Sequence, residues 1–149
     1  MDLTKPTEIQ IVYRHRRKAA DRPKINGSRD AEKILRPLFA TYISYRESMY
    51  AIFLCRGNRV LGIFQIGLGG ISGVAVDPKL IFQGALKANA SGIILAHNHP
   101  SGSRAASQAD IDLTMKVKQA GQFLEIAVLD HLILLPHDGY YSMADEGII

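Results

Sequence analysis

The stretch of the chain best suited to chemistry is residues 97–110, H-N-H-P-S-G-S-R-A-A-S-Q-A-D. His97 and His99 are two apart on what reads as an extended segment, so both imidazoles leave the backbone on one side and reach a single ion. The Pro-Ser-Gly turn then reverses the chain. A helix opening near Ser107 carries Asp110 in its first turn, back toward the two histidines. Two imidazole nitrogens and one carboxylate oxygen leave a fourth tetrahedral position for water, the arrangement catalytic zinc needs. The same letters have a plainer use: Ser107-x-x-Asp110 ahead of a helix also fits a capping box in which the two side chains only satisfy free backbone N–H groups. The paired histidines are harder to assign to packing, because burying imidazoles unpaired costs free energy.

The elements around this stretch must place it. Residues 93–96, leading into His97, are a nearly all-apolar run of the kind found in a strand covered on both faces. Asp77-Pro78 opens a helix over KLIFQGALKANA that is expected to end at Gly92. Ser107 to Ala120 forms another helix, closed by Gly121, and EIAVLD and LILLP read as two further strands before the turn HDGYY. Upstream, MYAIFLC and RVLGIFQI joined through Arg56-Gly57-Asn58 predict a β-hairpin. The following GLGGISG lacks the spacing of a P-loop or dinucleotide fingerprint and reads as a flexible connection. Residues 8–13 suggest a short strand, and Ser28 or Asp30 a cap for a helix over DAEKILRPLFA that Pro37 kinks or ends. About three helices alternate with five or six strands, which predicts an α/β protein.

The 149 residues, 47% apolar, suit one domain with one buried core. The net charge of +4 is unevenly placed: residues 1–30 hold eight Lys/Arg against four acids, and the rest balance at ten against ten. The reading is a basic N-terminal arm over residues 1–27 and a globular domain over 28–149. Such an arm neutralises nucleic-acid phosphates or simply stays solvated. Cys55 is the only cysteine, which excludes an intrachain disulfide and a thiolate-clustered zinc site within one chain. No signal-peptide core and no run of membrane-spanning length occurs, so a cytoplasmic protein without a membrane partner is expected.

The spacing His97-x-His99, seven residues, Ser107, two residues, Asp110 matches the motif of JAMM/MPN metalloproteases position for position. LIFQGALKANASGIILAHNHPSG, LDHLILL and GYYSMADEG resemble the JAB domain of the RadC family in particular, over roughly residues 25–149. That resemblance implies a three-layer α/β/α architecture with a mixed β-sheet, of the JAMM/MPN and cytidine-deaminase-like kind. It implies one Zn2+ per chain on His97, His99 and Asp110, with Glu47 in YRESMYAIFLC as general base and Ser107 steadying the oxyanion. Read without the family, Glu47 is a solvated glutamate at a strand start. The implied reaction is hydrolysis of a peptide or isopeptide amide through a zinc-activated water.

HExxH is absent, and a zinc deaminase needs cysteines this chain lacks. The letters H-N-H are adjacent on one strand here, unlike the dispersed residues of HNH nucleases. The serious alternative is a DNA-associated binding module without protease activity, since the RadC family is associated by name with DNA repair and the arm is basic. The helix-hairpin-helix region of fuller RadC-like proteins is not found in this sequence, which weighs against it. A metal-free scaffold ranks lowest, because every motif position is filled. His131, between apolar residues, reads as a hydrogen-bonded structural imidazole, with an Asp130-His131 pair orienting a ligand as the alternative. His15 and His137 fall in polar segments, and Cys55 reads as a small buried apolar residue.

Overall fold

The apolar alternation of residues 48–68 closes into an antiparallel hairpin, β1 (Ser48–Leu54) and β2 (Val60–Leu68), at one edge of a five-stranded sheet. The computed structural model of the chain describes residues 12–14, 16–70 and 73–149. Its sheet has the order β2-β1-β3-β4-β5, with β3 at Gly92–Asn98, β4 at Ala127–Leu134 and β5 at Tyr140–Ser142. Only the β3–β4 pair is parallel, so the sheet is mixed. The hairpin turn takes its left-handed residue at Asn58 (φ 57°) rather than at Gly57, a conformation asparagine tolerates better than most side chains.

Helices cover both faces. The helix α1 (Ser28–Phe39) buries Ala31, Leu35 and Phe39 against Ile52, Leu54, Ile94, Ala96, Leu132 and Leu134. On the other face α2 (Pro78–Lys87) packs Ile81, Phe82 and Ala85, and α3 (Gln108–Phe123) packs Val117, against Met49, Ala51, Phe53, Ile93, Leu95 and Val128. Every β3 residue is buried, as the uninterrupted apolar run required: alternate side chains enter opposite cores. The architecture is therefore three-layer α/β/α, as the resemblance implied.

Several local expectations need correction. Ser28 and Asp30 do not cap α1; Gly27 holds the N-cap position. Ser28 donates its hydroxyl to Asp145 Oδ2 (2.6 Å), and Asp30 accepts from the Asn26 amide (3.0 Å). Pro37 lies in the last turn of α1, which ends two residues later. Asp77 caps α2 through the Lys79 amide (2.9 Å) as expected, but α2 stops at Lys87, with Asn89 in the left-handed region (φ 55°) ahead of Gly92. Gly121 does not close α3 either. It is a close-packing site, where a Cβ would sit 2.3 Å from the Ile126 carbonyl oxygen, and Glu125 (φ 56°) turns the chain. Cys55 is half-buried rather than fully buried. The strand expected over residues 8–13 falls mostly outside the described residues, and Val12 and Tyr13 are not in a strand. Ile71 and Ser72 of GLGGISG and His15 also lie outside them, while Gly67-Leu68 belong to β2. Among the described residues no helix is long and apolar enough to cross a membrane.

EIAVLD and LILLP form one strand, β4, with an irregularity inside it. Ile93 pairs with Val128 but Ile94 pairs with Asp130, so Leu129 is an extra residue. This bulge changes the phase of the alternation. Val128 faces the α2/α3 core and Leu132 and Leu134 face the α1 core, which turns Asp130 toward α1 and His131 toward α3. Asp130 there accepts from the His131 amide (2.7 Å), the Ser142 hydroxyl (2.6 Å) and the Ala144 amide (3.0 Å), tying β4 to β5 and the following turn.

Burial raises the Asp130 carboxyl above its ordinary range despite those bonds. The folded chain thus holds this proton more tightly than the unfolded one. The stability it contributes is complete below the unfolded pKa and is lost as pH rises through the folded value. Asp130→Asn keeps acceptors for both amides and is expected to remove that pH dependence. Asp130→Ala strands two amides and a hydroxyl and is expected to cost about 2–3 kcal/mol. Urea unfolding of both variants across the acid range checks the pair.

Candidate metal centre

Three elements converge where β3 ends. The antiparallel register places Met49 opposite His97, so the start of β1 lies beside the end of β3. The turn after His99 is closed by the Gly102 amide on the His99 carbonyl oxygen (3.0 Å), with Gly102 at φ 78°. It delivers the chain to the N-terminus of α3, whose third residue is Asp110.

Asp110 serves two ends. Its Oδ2 accepts from the Ser107 amide (2.8 Å) and the Ser107 hydroxyl (2.7 Å), while the Asp110 amide donates to Ser107 Oγ (3.1 Å). This is the capping box expected from the sequence, fully formed. The carboxylate also faces the histidines: Oδ1 lies 3.2 Å from His97 Nε2 and Oδ2 3.5 Å from His99 Nε2. The two uses are compatible because a carboxylate offers about four lone-pair sites. Burial by itself raises the Asp110 carboxyl, but hydrogen bonds from His97, His99 and Ser107 outweigh it and hold the group far below the usual carboxylate range.

The protons on the imidazoles follow from their partners. Thr114 Oγ1 is 2.6 Å from the Asp110 carbonyl oxygen, which can only accept, so the hydroxyl hydrogen goes there. Thr114 Oγ1 must then accept from His131 Nδ1, 2.6 Å away. A neutral His131 is left with a bare Nε2, which accepts from His97 Nδ1 (2.8 Å). His131 is kept neutral because burial, and next the charge of His97, pushes its pKa well below normal. His99 Nδ1 donates to the Ser103 carbonyl oxygen (2.9 Å). Both His97 and His99 therefore present unprotonated Nε2 atoms in their neutral forms.

Those two Nε2 atoms stand 2.9 Å apart. Two lone pairs at that distance repel unless a cation lies between them. Ligand atoms on a tetrahedral zinc with bonds of about 2.0–2.1 Å are roughly 3.3 Å apart; here the two Nε2 atoms are 2.9 Å apart, and Asp110 offers Oδ1 at 3.2 Å from His97 Nε2 and Oδ2 at 3.5 Å from His99 Nε2. Among the described residues, His97, His99 and Asp110 are the group of metal-ligating side chains whose donor atoms lie within 4.8 Å of one another. The donor set, two imidazoles and a carboxylate, suits zinc and leaves a position open.

Access is graded. His131 and Thr114 are fully buried, His97 is 2% exposed, and the His99 and Asp110 side chains are 12% and 19% exposed. His97, His99, Asp110 and His131 line a cleft of about 230 Å³ with Glu47, Met49, Val74, Val76 and Leu113. Glu47, half-buried just ahead of β1, enters this cleft and is close enough to His99 to favour its protonated form. Of the residues singled out in sequence, His97, His99, Asp110, Ser107 and Glu47 all meet here. His131 does lie against a candidate ligand, but without Asp130, whose side chain is on the opposite face. Thr114 and Asn98 had no separate signal: a threonine inside a helix and an asparagine between two histidines are ordinary letters until partners are known. His137 is exposed and outside the site.

Residues 25–148 match the family model described as the RadC-like JAB domain. A UPF0758 protein of Flavobacterium johnsoniae is 43% identical over 125 residues, 84% of this chain and 53% of its own length. One from Porphyromonas gingivalis is 38% identical over 128 residues, 86% of this chain and 56% of its own. One from Marinobacter nauticus is 34% identical over 150 residues, 97% of this chain and 66% of its own. The chain thus spans about half the length of the first two curated relatives and two thirds of the third. Their shared name states no activity.

Thr114→Val leaves the His131 Nδ1 proton without its acceptor and frees the other tautomer. Metal affinity is expected to fall about 10- to 100-fold, measured by competition with a chromophoric chelator. A hydrogen bond donated to Asp110, above all, raises the His99 pKa. A proton on His99 competes with a metal, so zinc affinity is expected to weaken as pH falls through that raised value, with proton release on binding. Calorimetry in buffers of different ionisation enthalpy checks it.

Proposed function

Because this chain belongs to the family of RadC-like JAB domains, we propose that it is a zinc-dependent hydrolase cutting a peptide or isopeptide amide, with one zinc held by His97, His99 and Asp110. The observation that carries the proposal is the pair of imidazole Nε2 atoms facing each other at 2.9 Å beside the Asp110 carboxylate. When bound, zinc supplies Lewis-acid polarisation of a carbonyl and lowers the pKa of water. Glu47 is the general base: its carboxylate sits on the His99 side of the cleft, accepts a proton there and returns it to the leaving amine. The Ser107 hydroxyl, hydrogen-bonded to Asp110 Oδ2, turns to a developing oxyanion at the cost of one cap bond. Val74, Val76 and Leu113 keep one wall of the cleft apolar and limit water entry. Asp110 stays ionised, which stabilises the His97 and His99 side of the site whether a proton or a metal is present.

A second reading, nucleic-acid binding by the basic N-terminal segment, is favoured by one feature. Arg14, Arg16, Arg17 and Arg22 line a cleft of about 380 Å³ over Ile34, Val60, Leu61 and Ile63, with no acid among its lining residues. Such a cleft suits a phosphate backbone laid across an apolar floor.

Elemental analysis of purified wild type is expected to find one zinc per chain, lost in Asp110→Ala and in the His97→Ala/His99→Ala double variant. Glu47→Gln is expected to retain the zinc and lose hydrolysis of a peptide library; turnover unchanged in that variant removes Glu47 from its role. For the arm, DNA affinity is expected to fall steeply with salt, with a shallower slope after Arg16→Ala and Arg17→Ala. Absence of binding at low salt ends that reading.

A further inference from the structure

The residue between the two histidines points the other way along the strand. Asn98 is fully buried on the α1 face of β3, and its amide has no free hydrogen-bonding capacity on the side it faces. Its Oδ1 accepts from the Ser48 amide (2.8 Å) and the Ser48 hydroxyl (3.2 Å). Its Nδ2 donates to the Ile43 carbonyl oxygen (3.0 Å) and the Arg46 carbonyl oxygen (2.8 Å). The Arg46 carbonyl and the Ser48 amide belong to the two peptide units that flank Glu47. The other halves of those units are also held: the Glu47 amide donates to the Gly70 carbonyl oxygen (3.0 Å), and the Glu47 carbonyl oxygen accepts from the Gly69 amide (2.8 Å).

We propose that Asn98 is a positioning residue for Glu47: by gripping both peptide units around Glu47 it fixes that carboxylate relative to the histidines on either side of Asn98 itself. The inference rests on the assignment of Glu47 as general base made above. Its physical content is a rigid link. His97, Asn98 and His99 share one backbone segment, so the side chains at 97 and 99 set the ligand positions while the side chain at 98 sets the base, and the distance between them does not depend on the loop of residues 40–47 finding its own conformation. Reacting groups held in this way react faster than groups that must find each other. Only an amide serves: the site needs two donors for carbonyl oxygens and one acceptor for an amide and a hydroxyl. Asp lacks the donors, and Ser or Ala leaves buried backbone groups unpaired.

The test uses cobalt(II) as the probe, because its visible spectrum reports the surroundings of a His/His/Asp site without any substrate. Wild type, Glu47→Gln, Asn98→Ala and the Glu47→Gln/Asn98→Ala double variant are loaded with cobalt and their spectra followed with pH. The expected result is one cobalt per chain in all four. The spectral midpoint of Asn98→Ala is displaced in the same direction as that of Glu47→Gln, by at least half as much, and the double variant moves no further than Glu47→Gln alone. If Asn98→Ala does not fold, Asn98→Asp, which keeps the side-chain shape and the Ser48 bonds, takes its place in the comparison. A wild-type midpoint in the Asn98 variant, or additive shifts in the double variant, overturns the inference alone while leaving Glu47 as the base. Loss of cobalt from the Asn98 variant overturns it too, since the residue then serves the ligand strand. A Glu47→Gln midpoint identical to wild type overturns the base assignment, and the inference with it.

Discussion

Two imidazole lone pairs aimed at each other across 2.9 Å do not coexist in a protein interior unless something positive sits between them, and much of this fold is arranged to keep them so aimed. The tautomer of His97 is dictated from behind by His131, that of His131 by Thr114, and the direction of the Thr114 hydroxyl by the backbone carbonyl of Asp110. The chain of donors thus begins and ends at one residue: the Asp110 carbonyl starts it and the Asp110 carboxylate faces its far end. None of the links is exposed enough for water to supply an alternative partner cheaply. A proton between the two atoms satisfies the pair, and a metal ion would satisfy it in the proton's place, so the two would compete for the same lone pairs.

Asp110 shows how a helix cap and a candidate metal ligand share atoms. The capping box settles where α3 starts, and that start settles where the carboxylate stands relative to β3. Choosing between cap and ligand from the letters Ser107-x-x-Asp110 posed an alternative that the folded chain does not respect. A similar economy joins β1 and β3: their antiparallel pairing brings the start of one beside the end of the other, so that Glu47 enters the cleft at the mouth defined by the histidines.

Much of this was legible in the amino-acid letters because the relevant signals are local. The uninterrupted apolar run ending in His97 and His99, the aspartate-proline start of α2 and the hairpin at residues 48–68 each depend on neighbours in sequence. What was not legible depends on partners far along the chain. Gly121 reads as a helix stop until the Ile126 carbonyl is seen pressing on it. Ser28 reads as a cap until Asp145, more than a hundred residues later, takes its hydroxyl. His131 reads as a hydrogen-bonded structural imidazole, or as half of a ligand-orienting pair with Asp130, because nothing local reveals that β4 lies parallel to β3 and in contact with His97. The expectation that Glu47 is a general base came from family resemblance alone, since its neighbours in sequence contain no hint of the cleft it enters.

The extra residue at Leu129 makes the site a matter of parity. Upstream of it β4 faces the sheet with one phase, downstream with the other, and only the odd count across the bulge puts a neutral imidazole rather than a carboxylate behind His97. Leu129 itself is 40% exposed and contributes little to either core. Its identity is therefore nearly free, while its exclusion from the alternation is not. Drawn into the regular pleat, Leu129 would make Asp130 and His131 exchange faces; deleted, it would leave Val128, Asp130 and His131 alternating in the register they already hold, so what the site requires of this half-strand is that Leu129 bulge, not that it be there.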